Sequence, residues 1–230
     1  MRARNIETCY MCRAPATSRE HAFPKCLFPE SKDVEDGADL RKNLITVPSC
    51  TDHNLTLSKD DEYFLVITTA NIGGNQCRSQ QLSTKVVRAL RRNPVFADNT
   101  FAARLPMATV DGQPAIGFKI DRARVERVVE KTARAIWFHS ASSKLLVPVS
   151  VLLPMLRSDD GTPGAYMEGL GEHAAAMGAG MPWLGDNPEV FRYRLRIDPT
   201  DGFSFLWMSF YDGFVGFVSW GSRVPTSVAG

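Results

Sequence analysis

Two short pairs of potential metal ligands near the amino terminus constrain this chain more than any other sequence feature. Cys9 and Cys12 are separated by two residues, and so are Cys50 and His53. Thiolates and imidazole nitrogens are the usual ligands of tetrahedral Zn²⁺, and two such pairs complete a structural site. The pattern therefore predicts a structural zinc ion, which would stabilise a small module by roughly 10–16 kcal/mol. The alternatives are two unrelated buried thiols with a surface histidine, or a redox-active Cys-x2-Cys pair.

The remaining cysteine usage and the composition indicate a cytoplasmic protein. The chain has five cysteines, an odd number, whereas a secreted disulfide framework favours even numbers and a signal peptide. The amino terminus runs into the first cysteine pair without an apolar segment. The longest mostly apolar stretch, residues 145–156, contains two prolines and is too short to span a membrane. The net charge is +2, so no global basic field indicates nucleic acid and any basic surface must be local.

The periodicity of the chain predicts an α+β protein with two domains. Residues 1–72 contain little apolar periodicity and form the zinc-stabilised module, which closes with a helix over 57–72. Residues 73–230 form an α+β domain of unknown role, with helices over 76–92 and 121–138. An antiparallel meander follows, with strands over 191–197, 203–210 and 214–220.

Weaker patterns add detail to this outline. Short strands are predicted near 44–47 and 147–153, a hairpin turn at Asp111-Gly112, and a surface loop or weak helix within 158–187. In the helix over 121–138 the residues of the predicted buried stripe are Val125, Val128, Val129, Thr132 and Ile136. The basic residues predicted to lie off this stripe are Arg127, Lys131 and Arg134.

Residues whose side chains can take part in catalysis lie between the two ligand pairs and directly after the second. Glu20, His21 and Asn43 lie between the two pairs, and Asn54 comes directly after His53. This order resembles the HNH endonuclease family, in the version that carries a zinc knuckle beside its active centre. The resemblance covers about residues 6–65, and the third signature position is asparagine, which makes this an H-N-N variant.

The resemblance implies a ββα-metal fold and metal-dependent hydrolysis of phosphodiester bonds. His21 would be the general base that takes a proton from the attacking water. Glu20 and Asn54 would bind one catalytic Mg²⁺ or Mn²⁺ through oxygen atoms, and this ion would neutralise charge on the scissile phosphate. Asn43 would fix the loop that aims His21. The zinc ion would position the catalytic centre without taking part in the reaction.

Nucleic acid, with DNA as the favoured substrate, is the partner that this chemistry requires. The helix over 76–92 carries several basic residues and no acidic one, so it is the candidate for holding the phosphate backbone. The predicted nucleic-acid contacts are Lys25, Arg78, Lys85, Arg88 and Arg92. A solvated helix face explains the same pattern equally well.

Two functions of other classes are also compatible with the sequence. One is a non-catalytic zinc module that binds nucleic acid, and it would lack the second metal ion. The other is a protein-interaction module that uses the aromatic residues of the carboxyl-terminal meander, although a sheet core explains these residues too. No membrane partner is predicted, and a homodimer is compatible with the sequence.

Overall fold

Helices and antiparallel strands occur together along the chain, which confirms the predicted α+β class. The computed structural model describes residues 7–55, 58–71, 73–108, 112–156, 165–198 and 202–221. Its helices are α1 (Thr51–Leu55), α2 (Ser58–Ala70), α3 (Gln76–Gln81), α4 (Val87–Arg92), α5 (Pro94–Thr100), α6 (Arg122–Ala141) and α7 (Ala165–Gly178). Its strands are β1 (Ser18–His21), β2 (Thr46–Ser49), β3 (Arg104–Ala108), β4 (Pro114–Phe118), β5 (Ser150–Leu152), β6 (Leu184–Asn187), β7 (Phe191–Arg196), β8 (Ser204–Phe210) and β9 (Phe214–Trp220).

The first two strands form an antiparallel pair that leads directly into helix α1. Ser18 lies opposite Ser49 in the β1–β2 register, and His21 lies opposite Thr46. The connection between the strands contains short 3-10 turns at Lys25–Leu27 and Ser31–Asp33. Strand β2 confirms the predicted strand near 44–47, with a shift of two residues. The amino-terminal part of the chain therefore has the order strand, strand, helix.

The carboxyl-terminal strands form a five-stranded antiparallel sheet in the order β5-β9-β8-β7-β6. Its three central strands confirm the predicted meander to within one residue at each end. The predicted strand over 147–153 is present as the shorter β5. Part of the predicted turn between β7 and β8 lies outside the described residues.

The segment predicted as a loop or weak helix contains both a helix and an edge strand. Helix α7 is described from residue 165 onward, and residues 157–164 lie outside the described part. Strand β6 was not predicted, because it pairs with β7 through backbone groups and lacks an alternating apolar pattern. Gly185 in β6 has φ +119°, and an added Cβ would lie 2.9 Å from the Phe191 carbonyl oxygen. This position therefore requires glycine.

The predicted basic helix is divided into α3, a π-helical turn at Leu82–Val86, and α4. Asn93 ends α4 and caps α5, because its side chain accepts a hydrogen bond from the Phe96 amide. Strands β3 and β4 confirm the predicted hairpin, although Asp111 of its turn lies outside the described residues. Within the described part of the chain, no helix is long and apolar enough to cross a membrane.

Helix α6 confirms the predicted buried stripe and corrects the position of one lysine. All five stripe residues are buried. Lys131, which was predicted to lie off the stripe, has a side chain that is only 1% exposed. Its ammonium contacts the carboxylates of Glu20 and Asp61, and this pairing compensates for the loss of water around the charge.

The hydrophobic core joins the two predicted domains. The ring of Phe64 on α2 lies 5.0 Å from the ring of Phe210 and 5.5 Å from that of Phe214, both edge-on. The ring of Phe23 lies 4.7 Å from that of Phe191. Residues on both sides of the predicted boundary at residue 72 therefore belong to one buried cluster.

Candidate active site and metal centre

The four predicted zinc ligands come together in one group. The ligand atoms of Cys9, Cys12, Cys50 and His53 all lie within 4.8 Å of one another. The distance is 3.9 Å between the sulfurs of Cys12 and Cys50, and His53 Nδ1 lies 3.2 Å from the Cys50 sulfur and 3.5 Å from the Cys9 sulfur. A zinc tetrahedron with ordinary bond lengths has ligand-to-ligand edges of about 3.6–3.8 Å. The group can therefore hold a metal ion such as zinc.

Local backbone structure prepares this group for a metal ion. The Cys9 amide donates to the Ala14 carbonyl over 2.9 Å, and the Tyr10 amide donates to the Pro48 carbonyl over 2.8 Å. These bonds fold the first ligand pair into a turn and attach it to β2. Cys50 directly follows this strand. Burial raises the pKa of the Cys9 thiol, but backbone hydrogen bonds from Cys50 and its own turn outweigh burial and lower the pKa to about 7. The thiolate, which is the metal-binding form, is thereby favoured.

His21 lies at the end of β1, on the face opposite to Glu20. Successive strand residues point to opposite faces, so Glu20 is buried while His21 remains half-buried. Burial lowers the pKa of the His21 imidazole, and the nearby charges of Lys25 and Arg41 lower it further, against a smaller opposing effect of Glu20. The imidazole is therefore neutral near pH 7, which is the form that accepts a proton.

Asn54 is placed beside the hairpin by the same segment that carries His53. Its Nδ2 donates to the Ser18 hydroxyl over 2.8 Å, which attaches helix α1 to strand β1. The structure therefore brings Asn54 close to the strand that carries Glu20 and His21.

Glu20 is engaged by other protein groups at both carboxylate oxygens. Its Oε1 lies 3.0 Å from the Lys131 ammonium, and its Oε2 accepts hydrogen bonds from Ser49 over 3.1 Å and from Tyr10 over 3.4 Å. Burial alone would lower the pKa of Lys131, but the carboxylates of Asp61 and Glu20 together outweigh it and raise the pKa, so this lysine is charged. A cation thus already neutralises Glu20, and the carboxylate does not fit as a ligand for Mg²⁺ or Mn²⁺ in this arrangement. Among the described residues, the Cys3His group is the single cluster of three or more histidine, cysteine, aspartate or glutamate side chains that could hold a metal ion.

Asn43 lies in the turn that precedes β2. Its φ is +54°, the left-handed region that asparagine tolerates better than most residues. The side chain is exposed and forms part of the wall of a cleft beside the hairpin. This position is compatible with the predicted role in shaping the loop, which stays a prediction.

Most of the predicted basic face holds the protein together. Arg78 donates to the carbonyls of Thr69 and Asn71 over 2.9 and 2.8 Å, where α2 ends. Lys85 donates to the Cys26 carbonyl over 2.9 Å, and burial lowers the pKa of this lysine.

Arg88 and Arg92 lie at the carboxyl-terminal end of the same helical segment. Arg88 forms a two-point ion pair with Asp33 over 2.9 and 2.6 Å, whereas Arg92 is exposed. Lys25, in the 3-10 turn beyond β1, is exposed as well. Nucleic-acid binding by these residues stays a prediction, and Lys25 and Arg92 are the members whose exposure suits it best.

The sequence interpretation missed two residues of this region. Lys131 neutralises Glu20, and Arg41 places a second positive charge near His21. The position of Lys131 three residues after the buried Val128 is a weak signal that could have been used. Nothing in the sequence indicates that Arg41 lies near His21.

No protein-family model, curated protein or solved structure matches this chain.

Proposed function

We propose that this protein is an HNH-type endonuclease that hydrolyses phosphodiester bonds in DNA. The observation that carries the proposal is the place of His21 at the end of β1, half-buried and opposite Thr46, where burial and the nearby charge of Lys25 lower the pKa of its imidazole. The order strand, strand, helix and the metal-ligand group at the junction of β2 and α1 support it. The cysteine usage is the reason to expect the protein in the cytoplasm.

His21 would act as the general base in this reaction. Its neutral imidazole would take a proton from water as the water oxygen attacks phosphorus. The bond from phosphorus to the 3′ oxygen would break, and that oxygen would leave with a proton taken from solvent. General bases of this kind contribute about 10²–10⁴-fold to the rate. The exposed Lys25 would attract the phosphate and stabilise the negative charge that grows on it in the transition state. Arg41 donates to the Phe28 carbonyl over 3.0 Å and lies 3.5 Å from Glu30, so it would act only through its charge. The zinc group would hold α1 against the hairpin and would take no part in the chemistry.

The catalytic Mg²⁺ or Mn²⁺ implied by the resemblance has a weaker basis. The carboxylate of Glu20 is paired with Lys131, so we assign no step of the reaction to that ion. The dependence on a divalent ion is therefore one of the quantities that the test must measure.

The test is plasmid nicking by zinc-loaded protein, with and without added Mg²⁺ or Mn²⁺. The essential comparison is His21→Ala, with His173→Ala as a matched control because His173 is exposed on α7. The proposal predicts that His21→Ala lowers nicking at least about 100-fold, in line with the loss of a general base. Equal nicking by wild type and His21→Ala would show that His21 is not the base.

One observation favours a second function, a non-catalytic zinc module that binds nucleic acid. The Lys131 ammonium already neutralises the Glu20 carboxylate, which a catalytic cation would need as a ligand. His21→Ala separates the two functions, because the nuclease requires loss of cleavage with unchanged zinc content. The binding module requires DNA affinity without cleavage in either protein.

A further inference from the structure

A cleft of about 600 Å³ lies between the β1–β2 hairpin and strands β6 and β7 of the large sheet. This volume falls within the range of about 300–1,000 Å³ that is usual for small-molecule sites. Its wall is formed by residues from the hairpin and its connecting loop, from the carboxyl-terminal end of α6, and from the sheet edge. Neither the zinc group nor the reaction assigned to His21 uses this cleft.

Aromatic side chains form the inner wall of the cleft. Phe23, Phe28, Phe191 and Tyr193 all contribute to it; Phe28 and Phe191 are only 1% exposed, so a ligand would contact chiefly Phe23 and Tyr193, which are 5% and 6% exposed. The rings of Phe191 and Tyr193 are stacked, with centroids 5.8 Å apart. Protein sites for unstacked nucleic-acid bases combine such rings with a polar rim, because every base has a π face.

The rim carries polar groups that suit the edge of a base. Asn43 and Asp186 are both exposed, and both contribute to the wall. A carboxamide can donate and accept hydrogen bonds, and a carboxylate accepts them from an exocyclic amine. Burial raises the pKa of the Tyr193 phenol, and the negative charge of Asp186 raises it further.

A cationic group stands on the hairpin side of the cleft. Arg19 donates from Nε to the Thr46 hydroxyl over 3.0 Å and from Nη2 to the Thr46 carbonyl over 2.8 Å. These bonds fix the guanidinium in place while its side chain remains 56% exposed, and its Nη1 lies 3.6 Å from a carboxylate oxygen of Glu7, an exposed partner that a phosphate would displace. A fixed, exposed guanidinium is well suited to an anionic phosphate.

The cleft begins next to the proposed general base. Thr46 forms part of its wall, and His21 lies directly opposite Thr46 in the β1–β2 register. Side chains of directly opposed residues in an antiparallel pair lie about 5 Å apart. A phosphate at His21 would therefore have its neighbouring nucleoside at the entrance of the cleft.

We propose that this cleft binds one unstacked nucleotide of the substrate, with the base against the aromatic wall and the phosphate near Arg19. This inference rests on the proposed nuclease function and specifies how the substrate is recognised. Because a base must leave its stack to enter, the inference favours substrates with unpaired or weakly stacked nucleotides.

The experiment is calorimetric titration of the zinc-loaded, full-length protein with the four deoxynucleoside 5′-monophosphates. Asn43→Gly and Asp186→Ala are the test variants, and Glu172→Gln on the exposed side of α7 is the control. Glycine is the right replacement for Asn43, because it removes the side chain and still accepts φ +54°. Deoxynucleosides and inorganic phosphate, titrated separately, distinguish recognition of the base from recognition of the phosphate.

We expect saturable binding of at least one nucleotide, and weaker binding of its nucleoside and of phosphate alone. Each test variant should weaken that binding about fivefold to tenfold, which corresponds to one lost hydrogen bond, and the control should leave it unchanged. The inference is overturned if no nucleotide saturates, if both test variants bind like wild type, or if phosphate alone binds as tightly.

His21→Ala separates this inference from the proposed function. It removes the proposed base and leaves every residue of the cleft wall in place, so cleavage and nucleotide binding can be measured in it separately. Cleavage that depends on His21 without nucleotide binding would overturn the cleft and retain the nuclease. Variant-sensitive nucleotide binding without any cleavage would retain the cleft and overturn the nuclease.

Discussion

Lys131→Met should destabilise the protein far more than the loss of a surface charge. The ammonium of Lys131 lies 3.0 Å from Glu20 Oε1 and 2.8 Å from Asp61 Oδ1. The side chains of Lys131 and Glu20 are 1% and 7% exposed, so water cannot replace the lost cation. Removing one partner of a buried ion pair costs about 3–5 kcal/mol, whereas exposed pairs contribute about 0–1 kcal/mol. We therefore expect the free energy of unfolding to fall by about 3–5 kcal/mol.

The assay is urea denaturation followed by tryptophan fluorescence, in a double-mutant cycle with Glu20→Gln. The double variant Lys131→Met/Glu20→Gln should recover about half of the loss or more, because it removes one of the two carboxylates left without a cation. Arg122→Met is the matched control, since its ion pair with Glu126 is on the surface and its loss should cost under about 0.5 kcal/mol.

Two results would show that Lys131 does not stabilise the protein in this way. The first is a loss below about 1 kcal/mol in Lys131→Met, which would mean that the ammonium is not buried between the carboxylates. The second is a double variant less stable than Lys131→Met itself. If Lys131→Met does not fold at all, recovery of a folded protein by the added Glu20→Gln change decides the question.

Three further predictions concern the metal centre, His21 and the basic residues of α4. Metal analysis should give one zinc ion per chain, and Cys12→Ser or a strong chelator should remove it and unfold the amino-terminal module, because binding is coupled to folding. The pH profile of cleavage should rise with pH through a pKa below 6.5 and then level off, since burial lowers the pKa of His21 and only the neutral base is active; a midpoint above 6.5 would contradict this. Arg92→Gln should weaken DNA binding and lower its salt dependence by about one phosphate contact, whereas Arg88→Gln should lower stability because it removes the ion pair with Asp33. Equal salt dependence for Arg92→Gln and wild type would count against a phosphate contact there.

The features that were predicted correctly share a local physical cause. Cys9, Cys12, Cys50 and His53 were identified because ligand spacing within each pair is fixed by the geometry of one turn. The buried stripe of α6 follows from the period of the helix. The central strands of the sheet follow from the alternation of apolar and polar residues in segments that are bounded by turn residues.

The features that were missed depend on partners distant in sequence. Lys131 is buried because β1 and α2 supply carboxylates to it, and apolar periodicity alone treats every lysine as a surface residue. The roles of Arg78 and Lys85 were missed for a related reason. Their partners are backbone carbonyls, which every residue has, so a structural basic helix and a nucleic-acid-binding helix have the same sequence pattern.

Catalysis by His21 is decided by parallel plasmid-nicking assays of zinc-loaded wild type, His21→Ala and His173→Ala. Wild type and His173→Ala should nick the plasmid, and His21→Ala should nick it at least about 100-fold more slowly at unchanged zinc content. Equal nicking by all three proteins would rule out His21 as the base. The absence of nicking from all three, although each binds one zinc ion and folds, would rule out the nuclease.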